Sequence, residues 1–565
     1  MSIYDIYDTN IQVKILTTNQ TVEVKSGTPA IQFLPYDANV VAVLSNNELL
    51  SLQEPIDIQS QVQPVYKTDK DAVPMLTDTL SFLVQSAAVH RFPGLTLHLK
   101  YKIQRGLFFQ FTDMNCTSED IQAIEKEINR LVELNLPLMR ASLSHHDAAQ
   151  EMKKIRHMVA YELILSLNNP TESMIEMQAP DYTFRLLWRN PVFSHTGVCK
   201  GLYKLVPYNQ GFIVRFSEDF ANLDLSPIRN SERLQKDICQ IMDLYMQQAQ
   251  TIGFESIASI NKLVSDPKKL ANAISYAEFN HEKQIGEVAA RATDKTKIIF
   301  VAGPSSSGKT TFANRVSCHL RSRGFEPIRV SLDDFYGDPA KAPRVPGTDK
   351  PDFEHLEALD LDRIKECLTG LLAGKEVTMA AYDFVKQKPG NGMKFTLPPQ
   401  GVLVVEGIHA LNDEITKVVP TEQRLRVFIQ PIGALPWDET RVIDFYLTRL
   451  MRRMCRDYLF RGRTADKTID TWAEVREGEE HWILPNQVKA DVYFNSSIMY
   501  EQFVLRVYAV PLLQLVPQTS KNYATARQML RMLMPLQPIP VGLVPEMSLL
   551  CEFLPGGSQY ENFFF

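Results

Sequence analysis

Along the first 66 residues, apolar and polar positions alternate with the two-residue period of half-buried strands. Residues 11–15 (Ile-Gln-Val-Lys-Ile) and 21–24 (Thr-Val-Glu-Val) are two such runs, with Asn19 and Gln20 between them, so the pattern predicts a β-hairpin. Val40-Val41-Ala42-Val43-Leu44 followed by Asn46-Asn47 predicts another strand and turn, and a Lys/Asp-rich stretch at 67–71 closes this β-rich module. From 72 to 225 the period is mixed. Helices are predicted over 76–89, 119–136 and 152–167 and strands over 184–188 and 211–215, the ordering of an α+β domain. Residues 226–295 form a polar, helical connector in which Ile285, Val288, Ala289 and Ala292 make one apolar stripe. From 296 to 540, strands at 298–302, 327–332 and 402–406 alternate with helices at 310–322 and 359–373. That βαβ order predicts an α/β domain, a parallel sheet with helices on both faces. Residues 541–565, containing Pro555-Gly556-Gly557 and ending in Phe563-Phe564-Phe565, read as a small C-terminal extension.

A chain of 565 residues with 45% hydrophobic and 22% charged residues is expected to be a soluble protein of several domains. Its net charge of −6 gives no global attraction to nucleic acid or an anionic membrane. Met1-Ser2-Ile3-Tyr4-Asp5 lacks the basic and apolar regions of a secretory signal, and no apolar run approaches the length that spans a bilayer. The seven cysteines are scattered without a Cys-x-x-Cys pair, which fits reduced thiols and a cytoplasmic location. A homo-oligomer is expected.

Chemistry concentrates in the last domain. Residues 303–310 read Gly-Pro-Ser-Ser-Ser-Gly-Lys-Thr directly after the apolar run 298–302. A buried strand, a glycine-containing turn and a helix start aim backbone N–H groups and a helix N-terminus at one point, a cradle for a polyphosphate. Gly303, Pro304, Ser305, Ser306, Ser307, Gly308, Lys309, Thr310 and Thr311 form that candidate cradle; Lys309 reaches the β- and γ-phosphates and the Thr310 hydroxyl can ligate Mg²⁺. The next strand ends in Asp333-Asp334, where a carboxylate can orient an acceptor hydroxyl, take its proton or hold Mg²⁺ through water. Glu406 ends the strand 402–406 and is the second acid near the metal. Arg449, Arg452, Arg453 and Arg456 fall at i, i+3, i+4 and i+7 of one helix, which stops at Gly462 between Arg461 and Arg463. Four like charges on one face call for an anion opposite, so they read as a phosphate-clamping lid; a solvated face and an RNA-binding face are the alternatives. The loops 351–355 (Pro-Asp-Phe-Glu-His) and 381–385 (Ala-Tyr-Asp-Phe-Val) pair aromatics with carboxylates and are candidate acceptor loops. Asp334-Phe-Tyr-Gly337 fits the Asp-x-x-Gly of GTPases, but no Asn-Lys-x-Asp guanine reader follows it.

Together, 303–310, Asp333-Asp334-Phe335-Tyr336, Asp352-Phe353-Glu354-His355, Tyr382-Asp383-Phe384-Val385, Glu406-Gly407 and Arg452-Arg453…Arg456-Asp457…Arg461-Gly462-Arg463 resemble the uridine/cytidine kinase family of phosphoribulokinase-like P-loop kinases. The resemblance covers about 297–500 and implies ATP- and Mg²⁺-dependent phosphorylation of a nucleoside at its ribose 5′-hydroxyl. It implies Asp333 as catalytic base, with Thr310 and Glu406 near Mg²⁺. By the same likeness Glu354 and Arg453 hold the ribose, Tyr336, Phe353 and Tyr382 line the nucleoside pocket, and Arg456, Arg461 and Arg463 belong to the lid. Two positions depart from the family: Glu354 stands where an Asp is usual, and Gln387 where a histidine reads the pyrimidine. Residues 1–66 resemble a TGS module, the ubiquitin-like β-rich unit of threonyl-tRNA synthetases, and 72–225 are similar to the second additional domain of those synthetases. Asp78, Phe82, Trp188 and Val192 fall where that family places zinc ligands, so zinc-dependent editing is not expected. His145-His146 fall outside that pattern and read as surface residues. A kinase of another small hydroxyl substrate and an RNA- or ribosome-associated ATP-binding factor are the competing readings.

Overall fold

The computed structural model describes residues 9–103, 106–225, 232–345, 347–383 and 386–557. Strands Asn10–Ile15 and Gln20–Lys25 pair antiparallel with Val13 opposite Val22. Asn46 and Asn47 both take positive φ (48° and 62°), the backbone that a two-residue hairpin turn between Val40–Ser45 and Glu48–Ser51 requires. The five strands lie in the order 20–25, 10–15, 60–66, 40–45, 48–51, and only the 10–15/60–66 pair is parallel.

Two expectations fail in the next segment. The helix predicted over 152–167 is two helices, His145–Lys154 and Met158–Leu165. Arg156 between them has φ 59°, which no right-handed helix interior tolerates, and its guanidinium donates to the Gly94 carbonyl at 2.6 Å. Periodicity alone ran through this break because Met152, Ala160, Leu163 and Ile164 are buried on both sides of it. Nor is the chain without an apolar run of spanning length: Ala72–Arg91 is long enough, with mean hydropathy 1.2 over an 18-residue window. It is a core helix, since 72% of that window is buried against the strands and helices around it. Those include the sheets 138–144/171–178/183–187 and 203–208/211–216/106–111/97–103.

The connector is three helices, Glu232–Ile252, Ile257–Val264 and Pro267–Ala290, the last burying Ile285, Val288 and Ala289. Beyond it lies a five-stranded sheet in the order 326–331, 401–406, 298–302, 424–430, 492–495, with every pair parallel. Ile298–Ala302 is central, and its five residues are all buried because both faces are covered. Ile299 and Val301 join a core that runs without interruption into the front of the molecule, while Ile298, Phe300 and Ala302 join a second core on the opposite face. Residues 541–557 are built into the first core: Leu549, Leu550 and Phe553 are completely buried, and Ser548 Oγ donates to the buried Glu278 at 2.6 Å.

The front half docks on the loop that leads into the arginine helix. Glu439 accepts the backbone N–H groups of Val159 (2.7 Å) and Ala160 (3.2 Å), and its own carbonyl accepts from Leu99 N–H at 2.8 Å. Burial pushes the Glu439 carboxyl up to about 8. Asp78, one of the four positions compared with a zinc site, lies 3.5 Å from the Arg441 guanidinium in this interface.

Candidate active site

The central strand hands the chain to the loop 303–308 under tight steric limits. A Cβ on Gly303 would lie 1.9 Å from the Ile429 carbonyl oxygen of the neighbouring strand, so only glycine permits the loop to leave the sheet there. Gly308 takes φ 88° and caps the helix Lys309–Ser322. Within the loop the Ser306 and Ser307 hydroxyls are buried and have no hydrogen-bond partner. The Lys309 ammonium donates to the Pro304 carbonyl at 3.0 Å, spanning the mouth of the loop. Burial pulls Lys309 below the ordinary lysine range, while the charges of Glu406, Asp333 and Glu552 oppose that shift.

Acids stand at two strand ends beside the loop. The Thr310 hydroxyl donates to Glu406 Oε1 at 3.2 Å. Burial, and then the Asp333 charge, push the Glu406 carboxyl up to about 7. Asp333 is exposed in the turn Leu332–Phe335, its N–H donating to Ser331 Oγ at 3.3 Å.

The predicted acceptor residues largely meet. The Tyr336 ring packs edge-on to Phe353 (centroids 5.7 Å) and tilted against Tyr382 (5.7 Å), and its hydroxyl donates to the Phe353 carbonyl at 3.1 Å. Burial and the nearby charges of Asp333 and Glu354 hold the Tyr336 phenol well above its usual range. Burial, and then the charge of Glu479, raise Glu354 to about 7, against the pull of Arg453 and Lys309. Gln387 is not among this group. It is exposed at the turn joining Val377–Asp383 to Lys388–Phe395, with φ 51°. Phe384 and Val385 of the same motif lie outside the described residues, as does Phe563-Phe564-Phe565.

The four-arginine face divides in two, which corrects the reading of one continuous lid. Helix Phe445–Arg461 carries all four and ends at Gly462, φ 61°. Arg449 and Arg452 are 2% and 0% exposed and are matched by buried carboxylates, Glu479 and Glu501. Like charges on that half of the face are therefore balanced inside the protein. Arg449 Nε also donates to the Ser305 carbonyl (2.9 Å), and Ser305 N–H donates to Glu479 (3.0 Å), so the pair grips the phosphate loop from outside. Arg453 donates to Ser305 Oγ at 2.8 Å. The other half is unbalanced: Arg453, Arg456, Arg461 and Arg463 lie 3.6, 3.4, 3.4 and 4.0 Å from a single buried carboxylate, Asp457. Glu479, Glu501 and Glu552 were not legible as site residues. Each meets its arginine or threonine from tens to hundreds of residues away, and no local spacing signals that.

A parallel sheet with a phosphate loop at the end of its central strand, acids at two neighbouring strand ends and a helical arginine cluster has the make-up of a P-loop nucleotide-binding domain. In agreement, residues 298–500 match the model of the phosphoribulokinase / uridine kinase family. The chain is similar to the uridine kinase of Staphylococcus aureus (strain JH9), 28% identical over 198 residues, which are 35% of this chain and 86% of that one. Among solved structures it is similar to a possible uridine kinase from Bacillus stearothermophilus: 18% identity, TM-score 0.25, 38% of this chain and 98% of that one. It is also similar to D-glycerate 3-kinase from Cryptococcus neoformans, with 15% identity and TM-score 0.24, over 36% of this chain and 86% of that one.

Proposed function

We propose that the C-terminal domain is an ATP-dependent nucleoside kinase that transfers the γ-phosphate to the ribose 5′-hydroxyl of a uridine- or cytidine-like nucleoside. The observation that carries this reading is the aromatic group Tyr336, Phe353 and Tyr382, whose central phenol, Tyr336, feels the charges of both Asp333 and Glu354. A flat base has rings to pack on there, and a sugar has carboxylates to receive its hydroxyls.

The loop suits a triphosphate because the orphaned Ser306 and Ser307 hydroxyls need acceptors that phosphate oxygens supply. Thr310, Glu406 and Asp333 offer the hard oxygen donors that Mg²⁺ takes, and the ion, when bound, would neutralise charge on the phosphates. Lys309 holds the donor phosphates. Asp333, exposed at its strand end, orients the acceptor hydroxyl and removes its proton. Arg453 and Glu354 fix the ribose. Arg456, Arg461 and Arg463 supply the positive surplus around Asp457 that a transferring phosphoryl group can use. In the same reading residues 1–66 are a TGS-like module and 72–225 a synthetase-derived domain docked on the kinase through Glu439.

The test is purified protein with Mg²⁺-ATP and a panel of nucleosides, D-glycerate and phosphorylated sugars, scored for phosphorylated product. Monophosphate formed from pyrimidine nucleosides supports the reading; turnover confined to the non-nucleoside alcohols refutes it.

A further inference from the structure

The donor side of the phosphate loop is already covered by the chain's own C-terminal segment. Helix residue Thr311 directly follows Lys309 and Thr310, yet it is only 1% exposed. Its hydroxyl donates to Glu552 Oε2 at 2.9 Å. The other carboxylate oxygen of Glu552 lies 3.9 Å from Arg456 Nη1. The same carboxylate acts on Lys309 through its charge. Leu549, three residues earlier in the same short helix Leu549–Phe553, sits over Gly308, where an added Cβ would meet its Cδ2 at 2.5 Å. Farther along, the positive-φ glycines Gly556 and Gly557 turn the chain past Phe460 at the end of the arginine helix, within 3.7 Å of where a Cβ on Gly557 would lie.

One carboxylate thus engages a hydroxyl at the start of the loop's helix and a lid guanidinium, and its charge is felt by the loop lysine. These are the three kinds of group that take up the phosphates of a bound nucleotide. We propose that Glu552 is a donor-site residue that stands in for a nucleotide phosphate, and that residues 548–557 form a strap which Mg²⁺-ATP must displace. The inference rests on the assignment of 303–311 as the ATP cradle. Its physical basis is that a second anion cannot share these partners at close range without strong repulsion. The strap's apolar residues hold it in place: Leu549, Leu550 and Phe553 are buried, and the Arg452 guanidinium lies 5.1 Å from the Phe553 ring centre. These contacts hold the strap closed without nucleotide, and exchange of Glu552 for phosphate loosens the segment through Glu552 to the exposed turn at 555–556 without unfolding the domain.

The experiment compares Mg²⁺-ATP binding by calorimetry in the full-length wild type and Glu552→Gln. Glutamine keeps the volume and an oxygen acceptor for Thr311 but removes the charge, so binding is expected to tighten on the order of tenfold, the worth of a charged hydrogen bond. A parallel measurement on the unaltered chain follows amide hydrogen exchange at 548–557, which is expected to rise when Mg²⁺-ATP is added. Weaker ATP binding by Glu552→Gln overturns the proposal, because the residue then builds the donor site instead of occluding it. So does unchanged affinity, or exchange at 548–557 that is unaltered or slowed by ATP. If neither protein binds Mg²⁺-ATP, the cradle assignment and the strap fall together, whereas normal wild-type binding with no gain in the variant removes the strap alone.

Discussion

Glu479→Ala isolates what the buried half of the arginine helix does. The substitution removes the partner of Arg449, a guanidinium only 2% exposed, and also the acceptor of the Ser305 N–H. An uncompensated buried charge of this kind costs roughly 3–5 kcal/mol. At about 2–4 °C per kcal/mol for a folding unit of this size, the kinase domain's melting temperature should drop roughly 6–20 °C. The companion variant Arg449→Met/Glu479→Leu removes both charges and keeps apolar bulk, so its stability should return to within about 1–2 kcal/mol of wild type. Activity should not return with it. Ser305 would still lack two of its three grips, the Arg449 Nε on its carbonyl and the Glu479 carboxylate on its N–H, keeping only Arg453 on its hydroxyl, so the phosphate loop is less firmly held. Calorimetric melting together with kcat and KM for Mg²⁺-ATP on the three proteins reads both effects. Two results would refute the reasoning: a single variant that melts like wild type, or a double variant that recovers turnover along with stability.

Asp333→Asn should lower kcat by on the order of 10²-fold or more with ATP affinity nearly unchanged, read by steady-state kinetics and direct nucleotide binding; unaltered turnover removes Asp333 as the base. Glu354 and Glu406 both sit near 7, well above the ordinary carboxyl value of 4.5. A raised acid binds its proton more tightly in the folded state, so the ligand-free protein should lose stability as pH rises from about 4.5 to 7. Replacing Glu354 by Gln should flatten that decline in melts collected across the range, and a steeper decline would contradict the assigned direction. At the interface with the front half, Glu439 near 8 is mostly protonated at pH 7, so Glu439→Gln loses little charge, and its cost should be confined to the one N–H that its amide nitrogen cannot accept. Glu439→Ala instead strands the N–H groups of Val159 and Ala160 at a cost of about 1–3 kcal/mol, which denaturant melts will show.

How far the letters carried the fold depended on whether the decisive contact was local. The phosphate loop was legible because the strand, the turn and the helix that make it are contiguous, and Asp333 and Glu406 because strand ends are visible in apolar runs. The break at Arg156 was not, since a single left-handed residue interrupts a helix without disturbing its apolar spacing. Helix Ala72–Arg91 misled in the other direction: Gln85 and Ser86 dilute its apolar run on paper, yet both are buried in place. The strap at 548–557 left no periodic signal, because its helix is one short turn.

The arginine helix shows the deeper reason for the remainder. Spacing of three and four states that Arg449, Arg452, Arg453 and Arg456 point the same way, but it cannot state what they point at. Glu479 and Glu501 lie 30 and 49 residues beyond their partners, and only the tertiary fold sets them opposite. Subtracting those two pairs leaves Arg453 and Arg456, joined by Arg461 and Arg463, around Asp457 alone. Glu552 offsets one more charge where it meets Arg456. Within 4 Å these four guanidinium groups meet two carboxylates, and Asp333 and Glu354 act on Arg461 and Arg453 from farther off, which leaves a reduced local excess of positive charge that a phosphoryl group would draw on in the proposed reaction. The guanidinium groups left for an anion in the proposed reaction thus lie on the last two turns of the helix and around Gly462.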